Sequence, residues 1–550
     1  MALRQRRRIG WLFGLFALLL AVAASRALQL TTLNSGQLSN AANAEHATTV
    51  TTPAARGSII DRNGTLLAVS EAADDISATP QLIRDPAGVA LKLAPLLHLS
   101  STTIANDLAK PTSPDYTLLA PRVPAATAQQ VAALQIPGIK LTSDPLRVYP
   151  FKYLAAQVLG GVGTDANGLG GIEFEFNTQL AGSPGVQHVV FDGQGRAIHV
   201  SGPTAVGGQT VQLTLDTALQ QVTDKVVSAT GEQYQALHAT AIVLDLKTNA
   251  ILAISNWPRV NANDPTKVGF SNDYAVNLGY EPGSTFKVVT IGGALSDGLI
   301  TPATRFTIPY SYRVADRVIH DSEFHSTETL STASILAQSS NVGAVQIGQQ
   351  LGKSGLYDWI RRFGFGSPTG VDLHEESGIV PPLASWSGSS IGNIPIGQGV
   401  LVTPLQIATA YAAIANGGVL RPPQIVSSVG GVPVRAPRAT RILTTTVADE
   451  LRHMLKGVFA PGGTASEISI PGYALAGKTG TAQKVENGTY SNTKYVASFV
   501  GFAPEQHPRL EGIVVVDQPG GGYIYGTEVA APAWEQIMNF ALTYLKVPPG

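Results

Sequence analysis

The sequence predicts a membrane-tethered, multi-domain chain of the α+β class. Three observations predict it: an uncharged apolar run near the N-terminus, a central stretch mixing short β-like runs with turn residues, and C-terminal strands that follow one another without intervening helices. The last pattern is an antiparallel meander, whereas a parallel doubly wound sheet would alternate strand and helix. At 550 residues the chain has room for two large domains or three to four smaller ones.

Composition excludes several functions. A net charge of −1 offers no basic stripe for nucleic acid. The absence of cysteine removes disulfides, thiolate nucleophiles, thiolate zinc sites and iron–sulfur clusters together. With 57 Gly and 35 Pro, the chain reads as loop-rich and globular.

Arg4, Arg6, Arg7 and Arg8 precede a run from Ile9 to Ala24 that carries no charge. Positive charge stays on the cytoplasmic side, so the remainder is expected outside the membrane. The run is short for a span, which needs about 20 apolar residues. It lengthens if Arg26 snorkels to the headgroups and Leu28 and Leu30 join the helix. The expected order is a cytoplasmic tail (1–8) and a transmembrane helix (9–30). Ala21-Val22-Ala23 also fits a signal-peptide cleavage site, and either reading exports the rest.

Residues 31–55, rich in Thr, Ser, Asn and Ala, read as a stalk. Residues 56–206 read as an irregular α+β module with no active-site cluster. A further domain, 207–550, opens with the alternating strand Val211–Leu215 and Asp216 as a helix cap. In it, Thr240 to Ser255 reads as a hairpin about Lys247-Thr248-Asn249. A long helical stretch, β-rich sequence and a final helix follow.

Three constellations carry chemistry. In the first, Ser284 stands at the start of an apolar helix and Lys287 lies one turn on, on the same face. A serine hydroxyl needs a base to take its proton, and burial makes a lysine basic enough by disfavouring its ammonium. A second S-x-x-K, Ser491 to Lys494, follows the turn signal Asn487-Gly488 and enters a strand. On a strand, positions i and i+3 face opposite ways, so it is set aside.

The second constellation, Ser339-Ser340-Asn341, lies on a helical pattern through Leu330, Ile335, Leu336, Val342 and Val345. It offers a hydroxyl and an amide for proton relay and amide binding, or is simply a polar pair at a helix end. The third, Lys478-Thr479-Gly480-Thr481, closes a literal phosphate-loop string from Gly472, with Ile513–Asp517 downstream resembling a nucleotide-site strand. A phosphate loop must open a helix at its Lys-Thr. Here Gly480, a hairpin signal and two strands follow, so the nucleotide reading fails.

Together, in this order, the three motifs resemble the serine penicillin-recognising enzymes. The resemblance extends to class B penicillin-binding proteins through Arg56 to Gly64, Arg147-Val148-Tyr149-Pro150, Gly168 to Phe176 and Asp192-Gly193-Gln194-Gly195. Tyr280 to Ser284, Gly397-Gln398-Gly399, Thr403 to Gln406 and Lys478 to Gln483 continue it. The run Ser331 to Asn341 and the short ending most resemble the division-type members. Asn249 stands where the family usually has Gly, and Asn tolerates the left-handed turn.

The resemblance implies a pedestal at 56–206 and a transpeptidase domain at 207–550, built on a five-stranded antiparallel sheet with flanking helices. It implies a D,D-transpeptidase that cross-links D-Ala-D-Ala stem peptides to an amine acceptor, acts in septal wall synthesis at cell division and is inhibited by β-lactams. Ser284 would attack and Lys287 act as base. Ser339 and Asn341 would serve the relay and the substrate amide. Lys478 and Thr479 would meet the terminal carboxylate, with Gly480 and Thr481 beside them, and Lys478 would help keep Lys287 neutral. Backbone N–H groups of Ser284 and Thr481 would form the oxyanion hole, each donor worth about 3 kcal/mol. No cofactor or metal is implied, and the cluster His320, Asp321, Glu323, His325 reads as a solvated loop. Expected partners are a membrane glycan polymerase of the SEDS type and other division proteins, with the chain in the bacterial inner membrane.

The rivals are an elongation-type transpeptidase, a D,D-carboxypeptidase or β-lactam sensor, a β-lactamase and an idle membrane scaffold. No E-x-x-L-N string lies between Asn341 and Lys478 to activate a hydrolytic water. An idle site has no physical reason to keep a lysine in an apolar helix.

Overall fold

The computed structural model describes residues 2–33, 47–191, 197–264, 273–436, 438–486 and 488–549. Asp192 to Gly195 and Asn487 lie outside the described residues. Helix α1 (Ala2–Leu28) takes in residues expected as a cytoplasmic tail, and a turn of π-helix, Gln29–Leu33, follows. Residues 7–31 form the one stretch among the described residues long and apolar enough to cross a bilayer. Its large side chains meet no protein: Trp11 is 81% exposed. Such a surface suits lipid.

The chain folds into two compact units that interleave along the sequence. One comprises residues up to 55, 72–146 and 182–207; the other comprises 56–71, 147–181 and 208–550. The stretch 56–206, expected as one module, is therefore divided between two bodies.

In the first unit, Ala47–Thr52 is a strand, although it falls in the expected stalk. Its β-branched Thr and Val residues favour a strand, but no apolar/polar alternation marks it as one. Pairing with Gly185–Phe191, which also pairs with Ala197–Ser201, makes the strand. A second sheet sets Ala73–Ala78 between Thr117–Pro124 and Ile139–Ser143. Helices Pro86–Leu97, Ser101–Ala109 and Ala125–Ala133 supply Leu93, Ile104, Leu108 and Val131 to a core around Ile76.

In the second unit, the two early segments are tied in by charge. Glu173, fully buried, accepts from Arg56 Nε at 2.5 Å, from Arg147 Nε at 2.7 Å and from the Tyr149 hydroxyl at 3.0 Å. Arg56 also donates to Asn177 Oδ1 at 2.8 Å. The strings around Arg56, Arg147 and Glu173 are thus three sides of one ion cluster. Asp61 accepts from the backbone N–H and hydroxyl of Thr217, at the start of helix α2 (Thr217–Gln233), and Asp216 caps that helix. These bonds hold the Asp61 carboxyl below its ordinary range against the opposing effect of burial.

The main sheet is antiparallel and five-stranded: β1 (His238–Asp245), β2 (Ala250–Trp257), β3 (Ala476–Glu486), β4 (Thr489–Ala503) and β5 (Leu510–Asp517), in the order β2-β1-β5-β4-β3. The β1–β2 hairpin turns at Asn249, whose φ is +62°. Alternate residues feed two cores. Ala241, Val243, Val514 and Val516 face a core shared with α2 and the final helix, α8 (Ala531–Tyr544). Ile242, Leu244, Ile513 and Val515 face the other core. That core holds α3 (Lys287–Ser296), α4 (Thr332–Gln338), α5 (Asn341–Arg362), α6 (Pro404–Ala415) and α7 (Thr445–Lys456). With both faces covered, the sheet's accessible polar groups lie at its edges, and β3 is an edge.

Candidate active site

Ser284 lies in a 3-10 turn, Gly283–Phe286, that runs directly into α3. The turn is wedged in place. Gly283 has φ +55°, and a Cβ there would come within 2.8 Å of the Thr481 carbonyl on β3. On the other side, a Cβ on Gly397 would sit 2.2 Å from the Gly283 carbonyl. Behind the turn, the buried Tyr411 on α6 donates its hydroxyl to the Thr285 carbonyl at 2.9 Å. Ser284 is half-buried, beside a fully buried Lys287.

Lys287 Nζ donates to the Ser339 carbonyl at 2.5 Å, to Ser339 Oγ at 3.1 Å and to Asn341 Oδ1 at 2.8 Å. An ammonium has three donors, and these partners use all of them. Burial pushes the Lys287 ammonium down to about 7, with Asp321 opposing the shift. Ser339 and Asn341 lie at a junction of two helices, not inside one. Ser339 ends α4 in the left-handed region at φ +64°, Ser340 caps α5 by accepting from the Gly343 N–H, and Asn341 begins α5. The turn delivers both a carbonyl and a hydroxyl from Ser339 to the lysine. Asn341 Nδ2 donates to the His320 carbonyl at 2.9 Å, which fixes the amide with its oxygen towards Lys287.

Lys478, Thr479, Gly480 and Thr481 lie on β3, where Lys478 pairs with Val500 and Thr481 with Ala497. An extended strand here, in an antiparallel sheet, excludes a phosphate loop. Lys478 is fully buried and donates to the Thr479 carbonyl and hydroxyl, both at 3.2 Å. Gly480 lets β3 approach the Ser284 turn: a Cβ there would lie 2.9 Å from Thr285 Cγ2. Thr481 Oγ1 accepts from the Gly526 N–H at 3.2 Å.

The two buried lysines act on each other, since the charge of either disfavours a proton on its neighbour. Lys478 is driven well below its ordinary range by burial and then by the charge of Lys287. Lys287 has Asp321 to support its proton, whereas the neutral partners of Lys478 do not hold a charge as well.

Two residues that no motif flagged build this arrangement. Asp321 accepts from the backbone N–H groups of Asn341 and Val342, from Ser340 Oγ at 2.8 Å and from His325 Nε2 at 3.2 Å. Thr464 accepts the Thr479 hydroxyl at 2.9 Å, donates its N–H to the Ala337 carbonyl at 3.2 Å and accepts the Thr527 hydroxyl on its carbonyl at 2.8 Å. The Asp321 signal was present in the His320 to His325 string; Thr464 carries none beyond the preceding Gly462-Gly463.

Among the described residues, no group of three or more His, Cys, Asp or Glu side chains is arranged to hold a metal. Ser491 lies on β4, and its neighbour Lys494 pairs with Glu486 across the hairpin.

The sequence matches the penicillin-binding protein transpeptidase domain over residues 239–539 and the penicillin-binding protein dimerisation domain over 51–213. It is 34% identical to the penicillin-binding protein PbpB of Mycobacterium tuberculosis, over 96% of this chain and 84% of that protein. It is 33% identical to the peptidoglycan D,D-transpeptidase FtsI of Escherichia coli, over 90% and 84%. Among solved structures, a peptidoglycan synthetase from Bifidobacterium adolescentis superposes with a TM-score of 0.74 at 30% identity, covering 92% of this chain and 98% of that one. Penicillin-binding protein 3 of M. tuberculosis, complexed with aztreonam, superposes with a TM-score of 0.71 at 30% identity, over 91% and 98%.

Proposed function

The chain belongs to the class B penicillin-binding proteins, and from that membership we propose how its residues carry out peptidoglycan D,D-transpeptidation in septal wall synthesis. Ser284 Oγ attacks the carbonyl between the two terminal D-alanines while its proton passes to Lys287. The tetrahedral oxyanion is held by the backbone N–H groups of Ser284 and Thr481, where preorganised donors act without solvent reorganisation. Ser339 Oγ, 3.1 Å from Lys287 Nζ, passes the proton to the departing D-alanine amine. The acyl-enzyme is resolved when an acceptor-strand amine attacks the ester carbonyl, gives up a proton and releases Ser284. β-Lactams enter the same sequence and stop at the acyl-enzyme.

Lys478 and Thr479 receive the terminal carboxylate. A carboxylate arriving there favours the Lys478 ammonium, and that charge in turn disfavours a proton on Lys287. Substrate binding thereby prepares the base. The observation that carries the reading is the convergence of Ser339 and Asn341 on a fully buried lysine one turn after Ser284.

The apolar helix around 9–30 anchors the chain, with Arg4, Arg6, Arg7 and Arg8 cytoplasmic and the residues that follow the helix outside the inner membrane. Residues 56–206, without catalytic groups, serve as the pedestal that engages a glycan polymerase of the SEDS type; 207–550 carry the chemistry. The test is covalent labelling by a fluorescent penicillin together with cross-linking of a D-Ala-D-Ala peptide to an amine acceptor. Both are expected to vanish in Ser284→Ala and survive in Ser491→Ala. Label retained by Ser284→Ala would refute the assignment.

A further inference from the structure

Every oxygen lone-pair direction of Asp321 is committed to the turn that faces Lys287 or to His325. Oδ1 takes the N–H groups of Asn341 and Val342, the first two donors of α5, where a helix N-terminus favours negative charge. Oδ2 takes Ser340 Oγ, which itself caps Gly343. The left-handed Ser339 and the oriented Asn341 amide, both ligands of Lys287, are therefore held from behind by one carboxylate.

That carboxylate has its own counter-charge. His325 Nε2 faces Asp321 Oδ2 at 3.2 Å, and Nδ1 faces the Ser326 carbonyl at 2.8 Å and Glu328 at 3.5 Å. Both ring nitrogens meet acceptors, an arrangement that only the imidazolium satisfies fully. The Ser326 carbonyl first, and then Asp321, raise its proton affinity. His325 and Glu328 open onto a cavity of about 350 Å³ that reaches Ser339 and Thr464, so the ring exchanges protons with solvent.

We propose that Asp321 is a positioning residue of this site: its carboxylate clamps the Ser339–Asn341 turn beneath Lys287 and sets the charge field in which Lys287 works, with His325 as the counter-charge that moderates that field. This rests on Ser284 and Lys287 being nucleophile and base. The charged groups acting on Lys287 are Asp321 and, from β3, Lys478. Behind Asp321 stand His325 and Glu328, while His320 and Glu323 beside it have exposed side chains. The other partners of Lys287 are neutral.

The clamp and the field make separable predictions. The second-order rate of acylation by a fluorescent penicillin reports the free enzyme's essential groups. It is measured from pH 5 to 9 on the full-length chain in detergent, for the parent, Asp321→Asn, His325→Gln and Ser284→Ala, with thermal unfolding of each. Loss of the Asp321 charge disfavours the Lys287 ammonium, so the acid limb should move to lower pH, by on the order of one unit. Loss of the clamp should lower the plateau about tenfold. His325→Gln removes the shielding imidazolium, so its limb should move the opposite way.

Opposite displacements of the two limbs support the proposal. A lowered plateau with an unmoved limb in Asp321→Asn means a scaffold contact alone and overturns it. If Asp321→Asn does not fold, His325→Gln decides, and an unmoved limb there overturns the proposal. Label persisting in Ser284→Ala is a different failure, of the nucleophile assignment beneath it.

Discussion

The Thr479 hydroxyl donates its hydrogen bond to Thr464 Oγ1, 2.9 Å away, while Lys478 Nζ approaches the same Thr479 oxygen at 3.2 Å. Thr479 is thus held in one rotamer by a residue from a separate loop. Thr464→Val keeps the shape and removes the acceptor. One neutral hydrogen bond is worth about 0.5–1.5 kcal/mol, so acylation efficiency should fall roughly three- to tenfold. The loss should appear as weaker binding, which the concentration dependence of the acylation rate separates from the chemical step.

Lys287 must be neutral to accept a proton, and burial brings it from 10.5 down to about 7. Acylation should be weak at pH 5 and rise through pH 7, the direction for a base that works deprotonated. Lys287→Arg keeps a cation that cannot deprotonate in a protein. The acylation rate should then fall on the order of a thousandfold or more, with stopped-flow labelling as the readout.

Glu173 answers two guanidiniums in a buried setting, with side-chain exposures of 0% for Glu173 and 6% for Arg56. Removing one member of such a cluster strands the others and costs about 3–5 kcal/mol. Glu173→Gln should therefore lower the urea midpoint sharply, whereas Ser284 labelling of the fraction that remains folded should be unchanged. A triple replacement of Arg56, Arg147 and Glu173 by apolar residues of similar volume should recover much of the loss.

Glu511 on β5 is fully buried, and neither carboxylate oxygen has a partner among the described residues. Burial raises its carboxyl well above the ordinary 4.5. The folded chain then holds a proton that the unfolded chain releases above that pH, so stability declines as pH rises from there. Glu511→Met should raise the thermal midpoint by on the order of several degrees. The gain should be larger at pH 8 than at pH 5, checked by calorimetry at both.

The parts of this molecule legible in the sequence are those whose logic is local. Ser284 and Lys287 are one helical turn apart, so spacing alone places them on one face. The β1–β2 hairpin announces itself by two apolar runs about Asn249. Lys478 belongs to a strand because Gly480 and the turn after it leave no helix to open. What could not be read depends on distant pairing. The strand Ala47–Thr52 exists through Gly185–Phe191, and its own residues carry no period. Asp321 sat in a string that reads as a solvated loop, and only the fold brings it against the N–H groups of Asn341 and Val342. That Lys287 has a carboxylate near it, while Lys478 has only the neutral Thr479 carbonyl and hydroxyl, likewise depends on the fold. Arg56, Arg147 and Glu173 were each visible as parts of separate strings; that they are a single cluster was not.

Strand β3 is paired on one side only, with β4, and its other edge runs past the Ser284 turn. An edge strand offers its free N–H and C=O groups to any extended chain laid alongside it. Recognition made in that way is written in the main chain, which every amino acid shares. A population under drug selection cannot delete these contacts by exchanging side chains, because the exchange leaves the peptide groups where they were. Escape has to come from what sets the strand's position and its access. Thr464 and the Gly397 turn are therefore the places where inhibitor escape and loss of wall synthesis would trade against each other.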